Sequence, residues 1–211
     1  VISVDSLAEA LAQARIVPHF QPKLCARTGA LLSVEALARW DHHEQGLIAA
    51  TEFIGVAEKA GLIEQLTTQI SRQAFVALRD WAVHGLRPDL EINLSARSLE
   101  QIDLPDQLAM LAHRYGIEAQ RVTFEIAESA LIAFDALALD VLTRLRLKGF
   151  HLAIDDFGSG HSTLSQLERI PLSEIKINQS FVAGAHADPQ SRAIVESCIG
   201  LAQRLGLISV A

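Results

Sequence analysis

Cysteine is scarce in this chain. Cys25 and Cys198 are the only two among 211 residues, too few for a disulfide scaffold, and no Cys-x-x-Cys unit occurs. A reducing, cytoplasmic setting is therefore the default expectation. Long apolar runs are missing too: no stretch of about 18 uncharged apolar residues offers a membrane span. The amino terminus lacks the basic-then-apolar pattern of a signal peptide. Basic charge is in deficit, with 18 Lys and Arg against 25 Asp and Glu and a net charge of -7. That balance gives little general attraction for a nucleic acid polymer or an anionic membrane. A phosphate-bearing substrate would need a bound cation to mediate the contact. No Gly-x-Gly-x-x-Gly turn follows the first strand candidate, which weighs against a dinucleotide fold.

What is present is a chain that is 50% hydrophobic, enough for the core of one domain. Short β-type runs alternate with amphipathic helical ones. Strands are expected at 16–22, 30–40, 90–94, 121–126, 151–155, 174–177 and 207–210, with a turn at Thr28-Gly29 between the first two. Helices are expected at 5–14 (capped by Asp5 or Ser6), 51–60 (capped by Thr51), 64–84, 104–115, 133–148, 162–167 and 188–205. Strand–helix units at spacings of roughly 25 to 30 residues fit a doubly wound sheet or a (β/α)8 barrel. Polar residues at the carboxyl ends of several strands favour the α/β TIM-like barrel, which assembles sites from many strands at once. About seven strands fall short of a closed barrel, so the fold is expected to lack its C-terminal unit or units, with two unpaired sheet edges. Residues 1–15 read as a helix leading in from an upstream domain, and residues 16–211 as the barrel.

Asp155 and Asp156 end an apolar strand and open into a glycine-rich turn within residues 149–161 (GFHLAIDDFGSGH). Crowding two like charges is costly unless a cation or a proton relieves them. Strand alternation gathers further polar residues onto the same inward face. Lys176 and Asn178 oppose Ile175 and Ile177, with Glu174 lower on the same side. Glu125 opposes its apolar neighbours, Asn93 opposes Ile92 and Leu94, and Glu35 shares a face with Leu37 and Arg39. The converging set is Glu35, Asn93, Glu125, Asp155, Asp156 and Lys176. Carboxylates and an amide are hard oxygen ligands suited to Mg2+ or Mn2+. A dicarboxylate able to bridge two cations suits two-metal phosphoester hydrolysis. Lys176 is placed to orient water or stabilise developing charge, and Arg39 to act as a phosphate fork.

Five blocks in this order carry a resemblance: residues 34–40 (VEALARW), 93–95 (NLS), 124–129 (FEIAES), 154–160 (IDDFGSG) and 175–178 (IKIN). They resemble the signature blocks of EAL domains, bacterial phosphodiesterases that linearise cyclic di-GMP to 5′-pGpG. The resemblance runs from residues 20–22 (FQP) to the last residue. It implies a barrel with one antiparallel strand among the parallel ones, and a site that holds two metal ions when complete. Glu35, Asn93, Glu125, Asp155 and Asp156 match metal-binding positions, and Lys176 matches an essential lysine near the attacking water. Gln21 and Arg39 match substrate-contacting positions, as does Asn178 in a changed form. Glu128 matches the glutamate that holds the loop at 157–165, which couples the metal site to homodimerisation. An upstream regulatory domain is also implied, so the domain is expected in the cytoplasm, alone or as the cytoplasmic part of a larger, even membrane-attached, protein.

The chain departs from the family in several places. The family usually has Lys-Ile-Asp where this chain has Lys176-Ile177-Asn178, which removes a negative charge beside the metal site. His161 and His19 stand where aromatics are common, and residues 53–55 (FIG) replace an FIP-like segment. Residues 205–211 match the run that leads into a further metal-binding Glu, with a Gln strand later still. Without those two, little turnover is expected. The alternative to the phosphodiesterase is then a catalytically impaired receptor for cyclic di-GMP. A protein-interaction module working through the loop at 157–165 is the third reading.

Overall fold

Alternation of apolar and polar residues along short strands produces a sheet with two unlike faces, and this sets the architecture of the computed structural model. It describes residues 2–160 and 164–211. The strands are β1 (Ile16–Leu24), β2 (Leu31–His42), β3 (Gly46–Ala49), β4 (Asp89–Leu94), β5 (Val122–Ala127), β6 (His151–Phe157), β7 (Glu174–Ile177) and β8 (Ile208–Val210). They form one curled, mixed sheet in the order β1-β2-β4-β5-β6-β7-β8, with β3 paired to β2 off this path. From β2 through β4 to β8 the pairs are parallel, whereas β1 runs antiparallel to β2. The sheet is thus an incomplete TIM-like barrel: among the described residues β1 and β8 each have a strand on one side only.

The helices are α1 (Val4–Ala12), α2 (Ala50–Lys59), α3 (Ile63–Val83), α4 (Leu104–Arg114), α5 (Ala136–Leu147), α6 (Leu164–Arg169), α7 (Gln179–Gly184) and α8 (Pro189–Leu205). The main core lies between them and the outer face of the sheet. Val34, Ala36 and Trp40 of β2, Leu90, Ile92 and Leu94 of β4, Phe124 and Ile126 of β5, and Leu152 and Ile154 of β6 are buried there. Each large side chain removed from water contributes roughly 1.5–3 kcal/mol. Phe20 of β1 packs edge-on against Trp81 of α3 at 4.7 Å, and Phe124 against Phe150 at 5.0 Å. Because these apolar residues occupy one parity, the other parity points into the curl. That is the face on which the polar residues collect.

Several boundaries differ from the sequence reading, each for a local reason. Ser3, not Asp5 or Ser6, caps α1, its hydroxyl accepting from the Ser6 amide at 3.1 Å. Thr51 lies inside α2, which starts from Ala49 with no side-chain cap. β3 was not anticipated; it is four residues long and forms a second antiparallel pairing, with β2. The helix expected from residue 133 starts at Ala136, where Asp135 caps by accepting from the Ala138 amide at 2.9 Å. The preceding Glu128–Ala133 segment is a 3-10 turn. The short helix α7 was also unforeseen; the Asn178 side chain caps it. Of the helix expected at 162–167, residues 162 and 163 lie outside the described residues, as does His161.

Candidate metal centre

The inward face carries two layers of polar side chains. The upper one contains most of the residues expected from sequence. Lys176 of β7 reaches across the curl, and its Nζ donates to Glu35 Oε2 at 2.7 Å and to Glu125 Oε1 at 2.6 Å. Asn93 Nδ2 donates to Glu35 Oε1 at 2.8 Å. β2, β4, β5 and β7 thus meet in one cluster, as strand parity requires. Glu125 is fully buried, and its Oε2 has no hydrogen-bond donor among the described residues. A buried carboxylate oxygen left this way costs on the order of 1–3 kcal/mol until a proton or cation satisfies it.

Asp155 and Asp156 sit where β6 loses register with β7, between Ile154 and Phe157. Asp156 adopts a left-handed backbone, φ 57°, which Asp tolerates better than most residues. The strand therefore continues through the pair to Phe157 as a bulge, and the loop begins later than the sequence suggested. Burial raises the Asp155 pKa, opposed by Lys176 and assisted by Asp156 and Glu35. Asn178 Nδ2 donates to Asp156 Oδ1 at 3.2 Å, while Asn178 Oδ1 accepts from the Ser180 amide at 2.9 Å.

Glu128 holds the loop that follows. Its Oε2 accepts from the amides of Gly158 (3.0 Å) and Ser159 (2.9 Å) and from the Ser159 hydroxyl (2.7 Å). Gly158 has φ 100°, and a Cβ there would meet the Phe181 ring at 3.4 Å. The close approach and the left-handed backbone both favour glycine. Gln21 pairs with Glu35 in the β1–β2 register and so projects to the same side of the sheet. Arg39 is the one expected residue turned aside: its Nη1 donates to the Ala38 carbonyl at 2.9 Å.

Beneath these residues lies a layer the sequence reading largely missed. Lys23 of β1 spans the curl and donates to both oxygens of Glu174 on β7, at 2.9 and 2.8 Å. It also forms a close ion pair with Glu91 Oε1, to which the Ser33 hydroxyl donates at 2.5 Å. Glu91 Oε2 lies 3.5 Å from Lys176 Nζ, joining the two layers. The signal was available: Glu91 precedes Asn93 by two residues, Ser33 precedes Glu35 by two, and Lys23 follows Gln21 by two. Each shares its neighbour's face.

The charges settle in a definite pattern. Burial raises the Glu125 pKa well above the carboxylate range despite Lys176, with Glu35 and Glu91 adding to the rise. Burial also pushes Glu91 up, but its close neighbours Glu125, Lys23 and Ser33 overcome it and hold Glu91 down to about 2. Burial disfavours the charged form of Lys176, yet Glu125 and Glu35 outweigh it and raise its pKa. Carboxylate oxygens of Glu35, Glu91 and Glu125 all lie within 4.8 Å of one another. Hard oxygens grouped in this way, with Glu125 Oε2 lacking a donor among the described residues, suit a divalent cation.

Known proteins share both the sequence and the shape. A family model described as EAL domain matches residues 4–211. The chain is 36% identical over 206 residues to the cyclic di-GMP phosphodiesterase PdeR of Escherichia coli, spanning 98% of this chain and 31% of that protein. It is 35% identical over 209 residues to MucR of Pseudomonas aeruginosa, a bifunctional diguanylate cyclase/cyclic di-GMP phosphodiesterase, spanning 99% and 30%. The chain thus covers less than a third of the length of these curated relatives. Among solved structures, the PaMucR phosphodiesterase in complex with c-di-GMP superposes with a TM-score of 0.90 at 34% identity, covering 98% of this chain and 84% of that one. The FimX EAL domain of Pseudomonas aeruginosa, bound to c-di-GMP, shares the fold with a TM-score of 0.88 at 22% identity. No helix among the described residues is long and apolar enough to cross a membrane.

Proposed function

Because this chain belongs to the EAL domain family, we propose that it hydrolyses one phosphodiester bond of cyclic di-GMP to give linear 5′-pGpG. The observation that carries this reading is the convergence of Glu35, Asn93, Glu125 and Lys176 from four strands onto one point, beside the Asp155-Asp156 bulge. Glu35, Asn93, Glu125, Asp155 and Asp156 supply oxygen ligands for Mg2+ or Mn2+, two ions in the complete site. Such ions lower the pKa of an attacking water and neutralise charge on the phosphoryl group.

The side chains of this protein then divide the remaining work. Lys176 holds positive charge beside the scissile phosphate, where an ammonium in a partly dry site contributes most. Glu35 both binds cation and fixes the Asn93 amide. Glu128 fixes the loop after the aspartates and so their orientation. Gln21, Arg39 and Asn178 face the substrate; Arg39 would exchange the Ala38 carbonyl for a phosphate oxygen. Homodimerisation through the loop at 157–165 belongs to the same proposal, and residues 161–163 of that loop lie outside the described ones. So do a fused upstream regulatory domain joined through residues 1–15, and a cytoplasmic location.

Incubation with cyclic di-GMP and either Mg2+ or Mn2+ should yield pGpG on ion-exchange chromatography, and chelation should stop it. Nucleotide binding with no product under either metal would replace the enzyme by the receptor reading, for which Asn178 is the favouring feature.

A further inference from the structure

The lower layer has a role that packing alone does not explain. Glu91 is fully buried and divides its two oxygens between two ammonium groups. Its Oε1 is committed downward to Lys23 and Ser33, while its Oε2 faces upward to Lys176 at 3.5 Å. Lys176 meanwhile takes one oxygen of Glu35, Oε2, and one of Glu125, Oε1. A divalent cation held by the same two carboxylates would lie close to that ammonium, and like charges so close in a partly buried site repel strongly. Loading the site therefore requires Lys176 to yield, and it needs an anion to yield to. Glu91 is the carboxylate whose Oε2 already stands 3.5 Å from that ammonium and which Lys23 and Ser33 anchor from the other side.

We infer that Glu91 is a positioning residue for Lys176: it receives the ammonium as Glu35 and Glu125 turn to the cation. Lys23 and Ser33 hold Glu91 in place to do so. The inference rests on the metal-dependent reading above and adds to it a residue outside the expected ligand set. Although Glu91 belongs to the carboxylate group with Glu35 and Glu125, its oxygens are turned to Lys23 and Ser33 and to Lys176, and it acts here through Lys176 and not as a ligand.

A double-mutant cycle on Mn2+ binding, read by calorimetry without nucleotide, separates the alternatives. Glu91→Gln leaves Lys176 with only Glu35 and Glu125, so Mn2+ affinity should fall by about tenfold, in the range of coupling between groups in contact. Lys176→Met removes the competitor and should raise affinity. In the Lys176→Met background, Glu91→Gln should change affinity by less than about twofold. Equal losses in both backgrounds would make Glu91 a direct ligand and overturn the inference. No loss in either would make it purely structural, with the same consequence. Absence of Mn2+ binding in the unaltered protein would instead strike the metal-dependent reading itself. Should Glu91→Gln fail to fold by thermal melting, Lys23→Met/Glu91→Gln removes opposite charges together and serves the same cycle.

Discussion

The two layers inside the curl use the same residue types to opposite ends. Below, Lys23 grips Glu174 with two hydrogen bonds and pairs with Glu91, while Ser33 donates to Glu91 as well. Above, Lys176 faces Glu35, Glu125 and Asp155, and one oxygen of Glu125 has no donor among the described residues. The lower layer is close to satisfied and fastens β1 and β2 to β4 and β7. The upper layer is left with excess negative charge and an unmet acceptor. A paired interior tolerates burial, whereas an unpaired one is tolerable only if something arrives to complete it. Stability is vested in the first layer and chemistry in the second.

The comparison is tested most severely by substitutions that strike one layer and spare the other. Asp155→Asn or Asp156→Asn keeps side-chain shape and removes a cation ligand. Turnover of cyclic di-GMP should fall by on the order of 10²–10³-fold, comparable to losing a principal charge-stabilising group, with little change in urea midpoint. Lys23→Met should act chiefly on stability, with the smaller effect on turnover that follows from loosening Glu91. It strands Glu91 and Glu174, both buried, and should cost about 3–5 kcal/mol in urea unfolding, as removing one partner of a buried pair does. Pairing it with Glu174→Gln should recover part of that loss. If Lys23→Met instead left the midpoint unmoved while abolishing turnover, the division of labour between layers would be wrong.

The same contrast explains what could be read from the sequence. Glu35, Asn93, Glu125 and Lys176 were legible because period-2 alternation on short strands fixes which face each occupies, and strand ends fix the height. The Asp155-Asp156 pair was conspicuous because adjacent carboxylates are costly. Lys23 was not legible as a partner of Glu174, since the two are 151 residues apart and meet only through the curl of the sheet. Glu91 obeys the same parity as Asn93 but lies one layer down, where a search confined to strand ends does not look. Glu128 entered only through family resemblance: its contacts are loop amides about thirty residues onward, and no local periodicity predicts them. The parallel strands were foreseen with ends displaced by up to two residues, while β3, α7 and the 3-10 turns were too short to announce themselves.

A smaller effect comes from pH, and its sign differs between the layers. The folded pKa of Glu91 is depressed from the ordinary 4.5 to about 2. Its contribution is therefore fully present above about pH 4.5 and is lost as pH falls towards 2, on the order of 3 kcal/mol. Glu125 and Asp155 are raised, Glu125 well above its ordinary value. They favour the folded state at low pH and withdraw that support as pH rises through their folded values. Unfolding free energy measured across this range should be limited by Glu91 at the acid end and by Glu125 at the other. Adding Mn2+ should recover the loss at the higher-pH end, because Glu125 and Asp155 are among the expected ligands.

The smallest expected change is at Asn178, which borders the charge-excess layer without carrying charge. Its Nδ2 donates to Asp156 Oδ1 and its Oδ1 caps α7 through the Ser180 amide and hydroxyl. Asn178→Asp keeps the cap, since Asp accepts there as well as Asn does. It loses the donor to Asp156 and adds a like charge beside it, so the metal-free protein should lose about 1 kcal/mol. With Mn2+ present the added carboxylate faces a cation, and metal affinity should rise by about fivefold. Melting curves with and without Mn2+ should therefore shift in opposite directions for this one substitution. A shift of the same sign in both would place Asn178 with the paired, structural residues below, because only a side chain within reach of the bound cation can have its cost reversed by it.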